Sequence, residues 1–161
     1  MNPFKASKIG IHMWLRNLTG YTYGYVPSGS MEPTLTRGDL IVAQTKPLYN
    51  HLDVVLLKDP EDPYNFVVKR IIAVGGDVIW AGKGKITRNS VILEEPYIKE
   101  PIKYYLPEIW LKDDQVFVLG DNRNNSDDCH FTYAGLPQEL ILGKVRWAFR
   151  VKSFWRWRAV K

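Results

Sequence analysis

Hydrophobic positions along the chain fall in short clusters rather than in long helical stripes. Leu40–Gln44, Val54–Leu57, Phe66–Val74, Asp77–Trp80, Lys85–Leu93, Val116–Leu119 and Leu140–Val151 are dominated by Val and Ile, with Gly, Pro and Asp between them at short intervals. These segments are predicted strands, because β-branched side chains suit a pleated surface and turn residues interrupt it. No long segment has convincing 3.6-residue periodicity, and there is no repeat or low-complexity tract. The expected fold is mainly β, with antiparallel sheets forming a sandwich or barrel-like core.

The same pattern divides the chain. Residues 1–25 form an N-terminal segment, a short amphipathic stretch followed by the extended, Gly/Tyr-rich GYTYGY. Residues 26–151 hold the main domain. Within it, 81–114 changes character, with AGKGK, EEP, KEP and LPE between aromatic residues. This stretch reads as a small β-rich insertion or flap, since structureless loops of that length are uncommon. Residues 152–161 form a basic, Trp-rich tail.

Charge sharpens this division. The 161-residue chain carries a net charge of +5, yet residues 30–143 hold 12 basic against 17 acidic residues. The excess lies at the ends: three basic residues in 1–29, seven in 144–161, and no acid in either. Trp147, Phe149, Phe154, Trp155 and Trp157 interleave with the basic residues of the second end. Such a mixture suits an anionic membrane surface, where indole rings sit at headgroup level. A solvated final strand is the plain alternative, and nucleic acid is not the expected partner. No segment reaches the roughly 20 apolar residues of a spanning helix, and no apolar run follows the early lysines as in a cleavable leader. Membrane contact is therefore expected to be peripheral. Cys129 is the single cysteine, which excludes an internal disulfide.

Three places carry candidate chemistry. In Ser28-Gly29-Ser30, an extended backbone would point both hydroxyls to one side, one to attack and one to donate to an oxyanion. A serine needs a base to become a nucleophile at neutral pH. His12, His51 and His130 lie in settings that read as surface positions. Lys69 differs: in FVVKRIIAV it shares a strand face with Val67 and Ile71, and Val68, Arg70 and Ile72 share the other. An apolar face disfavours the ammonium form and lowers the pKa, as a lysine base requires. Arg70 stays charged and is expected to pair with a carboxylate. Third, GDNRNNSDD at 120–128 crowds Asp, Asn and Ser after a strand and reads as a hydrogen-bonded scaffold. It is not a calcium loop of the EF-hand type, because the twelfth residue from Asp121 is Thr132.

Taken together, these pieces resemble type I signal peptidases. Pro27-Ser28-Gly29-Ser30-Met31-Glu32-Pro33-Thr34-Leu35 is similar to that family's serine box, and Arg37-Gly38-Asp39-Leu40-Ile41 to the box after it. Val68 to Asp77 is similar to the lysine box, and Gly120 to Asp128 to the last box, over residues of about 26 to 147 in all. The resemblance implies a sandwich or barrel-like core of the signal peptidase/LexA type. It implies Ser30 as nucleophile and Lys69 as general base, and Ser28 helping the Ser30 N–H to hold the oxyanion. Ser126 would orient the Lys69 amine, Asp121, Arg123 and Asp128 would shape the site, and Met31 would contact substrate. The implied activity is removal of signal peptides from exported preproteins after small residues, with no metal or organic cofactor. The implied location is the extracytoplasmic face of the inner membrane. Cys129-His130 stands where the family usually has Ser-Arg, so an Asp–Arg pair becomes Asp128–His130, which would weaken as His130 loses its proton. LexA/UmuD-like self-cleaving peptidases share the fold and dyad but cut an Ala-Gly bond ahead of their serine; here Ala81-Gly82 and Ala134-Gly135 both follow Ser30. A conjugation-type processing peptidase of the same superfamily stays open, and a membrane-binding module without enzymatic activity is opposed by the presence of both Ser30 and Lys69.

Overall fold

The computed structural model describes residues 20–62, 65–132, 134–150 and 157–160. His12, the amphipathic stretch of the N-terminal segment and tail positions 151–156 and 161 lie outside the described residues. Among the described residues, twelve strands and one short α-helix follow in order: β1 (Tyr21–Tyr25), β2 (Asp39–Gln44), β3 (Val54–Lys58), β4 (Phe66–Val74), β5 (Val78–Gly82), β6 (Lys85–Arg88), β7 (Val91–Ile92), β8 (Leu106–Trp110), β9 (Gln115–Leu119), α1 (Cys129–Thr132), β10 (Leu136–Pro137), β11 (Ile141–Arg150) and β12 (Trp157–Ala159), with a 3-10 turn at Gln138–Leu140 before β11. Among the described residues, no helix is long and apolar enough to cross a membrane.

The large antiparallel sheet runs β1-β2-β11-β3-β4-β9-β10, with β12 also paired to β11. It curls into a half-barrel, in agreement with the mainly β expectation. The ten-residue strand β11 organises it. One edge pairs with β2 along 144–150, while the other is shared by β3 at 141–144 and β12 at 147–149. Bulges in β11 beside both partners help it to bend, since each extra residue kinks the strand and increases its twist.

Both faces of the central strands are buried, so these strands are continuously apolar rather than alternating. On β3, Val54 and Leu56 face a core with Val26, Met31, Leu35 and Ile41, while Val55 and Leu57 face a second core with Ile71, Phe117 and Ile79. That second core is closed by a four-stranded sheet, β7-β6-β5-β8, spanning Val78 to Trp110. The predicted single strand Lys85–Leu93 is instead a hairpin, β6 and β7. Asn89 and Ser90 turn it with positive φ values of 49° and 67°.

Candidate active site

The serine box is not extended. Residues 30–34 form a turn in which the Leu35 N–H donates to the Met31 carbonyl at 2.9 Å, one helical turn's worth of backbone. The two hydroxyls meet nonetheless, with Ser28 Oγ 3.3 Å from Ser30 Oγ. Met31 and Leu35 anchor the turn in the core at 1% and 0% exposure, which leaves Ser30 partly exposed above them.

Lys69 lies on β4 opposite Val55 of β3 and is 4% exposed. Its face holds Val67 and Ile71, as the alternation predicts. Neither Lys69 nor Arg70 reaches water, Arg70 being 2% exposed. Burial pushes the amine below the ordinary lysine value, and Asp128 and Asp127 only partly oppose this. Lys69 Nζ donates to Ser126 Oγ at 2.6 Å. A neutral amine that spends an N–H on Ser126 keeps its lone pair for another partner.

The loop after β9 gathers these parts. The Asn122 backbone N–H donates to the Ser30 carbonyl at 2.9 Å, and Asn122 Nδ2 to the Gly29 carbonyl at 3.0 Å. Gly120 sits between Ser30 and Ser126. A Cβ there would lie 2.3 Å from Ser126 Oγ and 2.5 Å from the Ser30 carbonyl oxygen, so this position has room only for glycine.

Two buried ion pairs brace the loop. Arg70, on the face of β4 opposite Lys69, holds Asp121 through two hydrogen bonds; Asp121 also accepts from Thr34 Oγ1 of the serine turn. Arg123 is fully buried and binds Glu95 at 2.6 and 3.0 Å while donating to the Gly120 carbonyl. The Tyr97 ring stacks under Arg70, whose guanidinium lies 4.0 Å from the ring centroid, and its hydroxyl donates to Glu95. Asp128 accepts from the Gly120 N–H at 2.8 Å and faces His130 Nδ1 at 2.6 Å. Burial alone would raise its carboxyl pKa, but the His130 bond, the Lys69 charge and the Ser126 and Gly120 bonds hold it below the usual value. Cys129 is buried, and its thiol is pushed up to about 12, which removes it as a nucleophile.

All eight residues singled out in the sequence therefore lie in or under one constellation. The carrier of Asn122's role was visible as part of the motif, but its clamp on the serine turn was not. Glu95 and Tyr97 left no local signal, because their partners are remote in sequence. His130, read as a surface histidine, has a side chain only 10% exposed.

The signal peptidase family, peptidase S26, matches residues 8–150. The chain is 38% identical over 142 residues to a probable signal peptidase I-1 of Synechocystis, covering 81% of this chain and 72% of that protein. It is 36% identical over 133 residues to thylakoidal processing peptidase 1, chloroplastic, of Arabidopsis thaliana, covering 74% of this chain but only 39% of that protein. A crystal structure of a signal peptidase I from Enterococcus faecalis V583 shares the fold, with a TM-score of 0.54 at 21% identity over 62% of this chain and 98% of that one.

Proposed function

The chain belongs to the signal peptidase family, peptidase S26, and is an endopeptidase of that type; from this premise we propose that it removes N-terminal signal peptides by acyl transfer to Ser30, with Lys69 as general base. The observation that carries the reading is Lys69 itself, a buried lysine whose amine is held by Ser126 in the loop that also clamps Ser30.

In this mechanism the neutral Lys69 amine takes the Ser30 proton as Oγ adds to the scissile carbonyl. The Ser30 N–H and the Ser28 hydroxyl stabilise the oxyanion. The Lys69 ammonium then protonates the leaving amine, and the C–N bond breaks to leave an acyl ester on Ser30. Water, deprotonated by Lys69, attacks that ester and returns the enzyme.

The substrate strand has a natural place. β3 pairs with Phe66–Lys69 on one side, but β9 pairs with β4 only from Arg70 onward. Among the described residues, no strand pairs with the other edge of 66–69. An extended peptide adds there by main-chain hydrogen bonds, with shallow pockets selecting small side chains and Met31 in their floor.

The enzyme acts at a membrane surface, on the extracytoplasmic face of the inner membrane. Strand register places Tyr21, Tyr23, Tyr25, Leu40, Val42 and Trp147 on one outer face of β1, β2 and β11, opposite the core. Tyr23, Tyr25, Leu40 and Trp147 are exposed there, and Arg146 precedes Trp147 on β11, whereas Arg150 and Arg158 face the other way onto Asp39. Aromatic rings and basic groups together suit an anionic headgroup layer. The deciding experiment is cleavage of a preprotein with an Ala-x-Ala site by the native chain, Ser30→Ala and Lys69→Ala. Loss in both variants is expected, and retained cleavage in either overturns the dyad.

A further inference from the structure

Behind the Lys69–Ser126 contact stands a second pair that the peptidase mechanism does not use. Asp128 has a side chain that is 0% exposed and is surrounded by donors: the Gly120 N–H and His130 Nδ1 at 2.8 and 2.6 Å, the His130 N–H at 3.2 Å, and the Ser126 hydroxyl. Ser126 thus accepts from Lys69 and donates to Asp128, so the donor chain runs from Lys69 through Ser126 to Asp128 and meets His130 there. The His130 ring cannot swing away easily. It stacks on Tyr104 with centroids 4.2 Å apart and a 14° tilt, and meets Phe131 at 3.9 Å with a 40° tilt.

We propose that His130 is a positioning residue that acts on Lys69 through Asp128 and Ser126, its positive charge compensating the buried carboxylate so that the lysine can shed its proton. The inference rests on the reading of Lys69 as base. Of the charges that favour the ammonium form of Lys69, the Asp128 carboxylate acts most strongly. A cation bound to that carboxylate cancels much of its field at Lys69, whereas an uncompensated Asp128 holds the lysine protonated. The other groups round the pair are Asp127 and Cys129 on its own segment, Tyr104 between β7 and β8 with Glu95 and Arg123 beyond it, and Lys69 on β4. Among them His130 alone is in direct contact with Asp128.

The test is kcat/KM for preprotein cleavage against pH, for the native chain and for His130→Arg, His130→Asn and His130→Gln, with thermal melts to establish folding and Lys69→Ala as control. In the Asn and Gln variants the acidic limb of the profile should move up by about one pH unit, roughly a tenfold loss of rate below it. In His130→Arg, which keeps a permanent cation on Asp128, the limb should stay or move down. Folded Asn and Gln variants with the native limb overturn the proposal, whatever their maximal rate, because a purely structural role lowers the rate without moving the limb. If those variants do not fold, His130→Arg decides, and an upward shift in it overturns the proposal. Cleavage by Lys69→Ala would instead overturn the base assignment, so the two failures are distinguishable.

Discussion

The Arg70 guanidinium meets the Asp121 carboxylate with Nε to Oδ1 at 2.9 Å and Nη2 to Oδ2 at 2.8 Å, and both side chains are out of solvent. The pair ties the strand that carries Lys69 to the loop that carries Ser126, and through Thr34 it reaches the turn that carries Ser30. One fork-to-fork contact thus spaces three elements of the site. Removing one partner leaves a buried charge uncompensated, so Asp121→Ala should lower stability by about 3–5 kcal/mol in urea denaturation. Arg70→Lys keeps the charge but loses the planar fork; cleavage should fall although the net charge is unchanged.

Gly120→Ala tests the closeness of Ser30 and Ser126. The added methyl would collide with both Ser126 Oγ and the Ser30 carbonyl. Because displacement of reacting groups by about 1 Å can reduce the rate about a hundredfold, kcat should drop by roughly that factor. Equal kcat in a folded Gly120→Ala chain would mean that the serines are not held at this separation during turnover.

Burial of Lys69 should make activity and stability rise with pH together. Its folded pKa is depressed below the ordinary 10.5, so the folded state binds fewer protons than the unfolded chain between the two values. In that window stability rises with pH, and it falls as pH drops toward the folded value. Lys69→Met should therefore raise the melting temperature at neutral pH, by an amount that shrinks as pH approaches 10.5, while abolishing cleavage. Lys69→Arg should be inactive as well, since arginine stays protonated. A melting temperature for Lys69→Met that is unchanged at every pH would contradict the linkage.

Membrane docking is best tested on the outer face of the large sheet. Deleting residues 152–161 would also remove Arg158, which donates to the Thr34 carbonyl at 2.9 Å and to Asp39 at 2.5 Å beneath the serine turn. Tyr23→Ala combined with Trp147→Ala leaves those bonds in place. Co-sedimentation with vesicles rich in anionic lipid should fall several-fold in the double variant, and added salt should weaken what remains. Undiminished binding would remove this face from the membrane contact.

Short-range information made much of this protein legible. Phe66–Val74 is a strand in the structure as in the sequence, because a nine-residue run with seven β-branched or otherwise apolar members has few other uses in a compact β domain. The alternation there placed Lys69 with Val67 and Ile71, which was enough to expect a desolvated amine. The hairpin at Asn89-Ser90 is not legible in the sequence because a two-residue turn inside an apolar run interrupts periodicity too briefly.

The candidate site divides along the same line. Residue type and strand alternation determined, from the sequence alone, that Lys69 is apolar in setting and that Arg70 cannot serve as base; the motifs supplied Ser30, Ser28 and Ser126 as candidates. Only the tertiary structure decided how they meet. Ser28 and Ser30 come together across a turn rather than along an extended strand, Asp121 goes to Arg70 while Arg123 goes to Glu95, and His130 is packed inward onto Asp128. Strand propensity and alternation act over a few neighbouring residues and so can be read locally. Ion-pair partners and the gap at Gly120 depend on how the sheet curls and which loops it brings into contact, and nothing within a few residues of Arg123 or Ser30 encodes that distance.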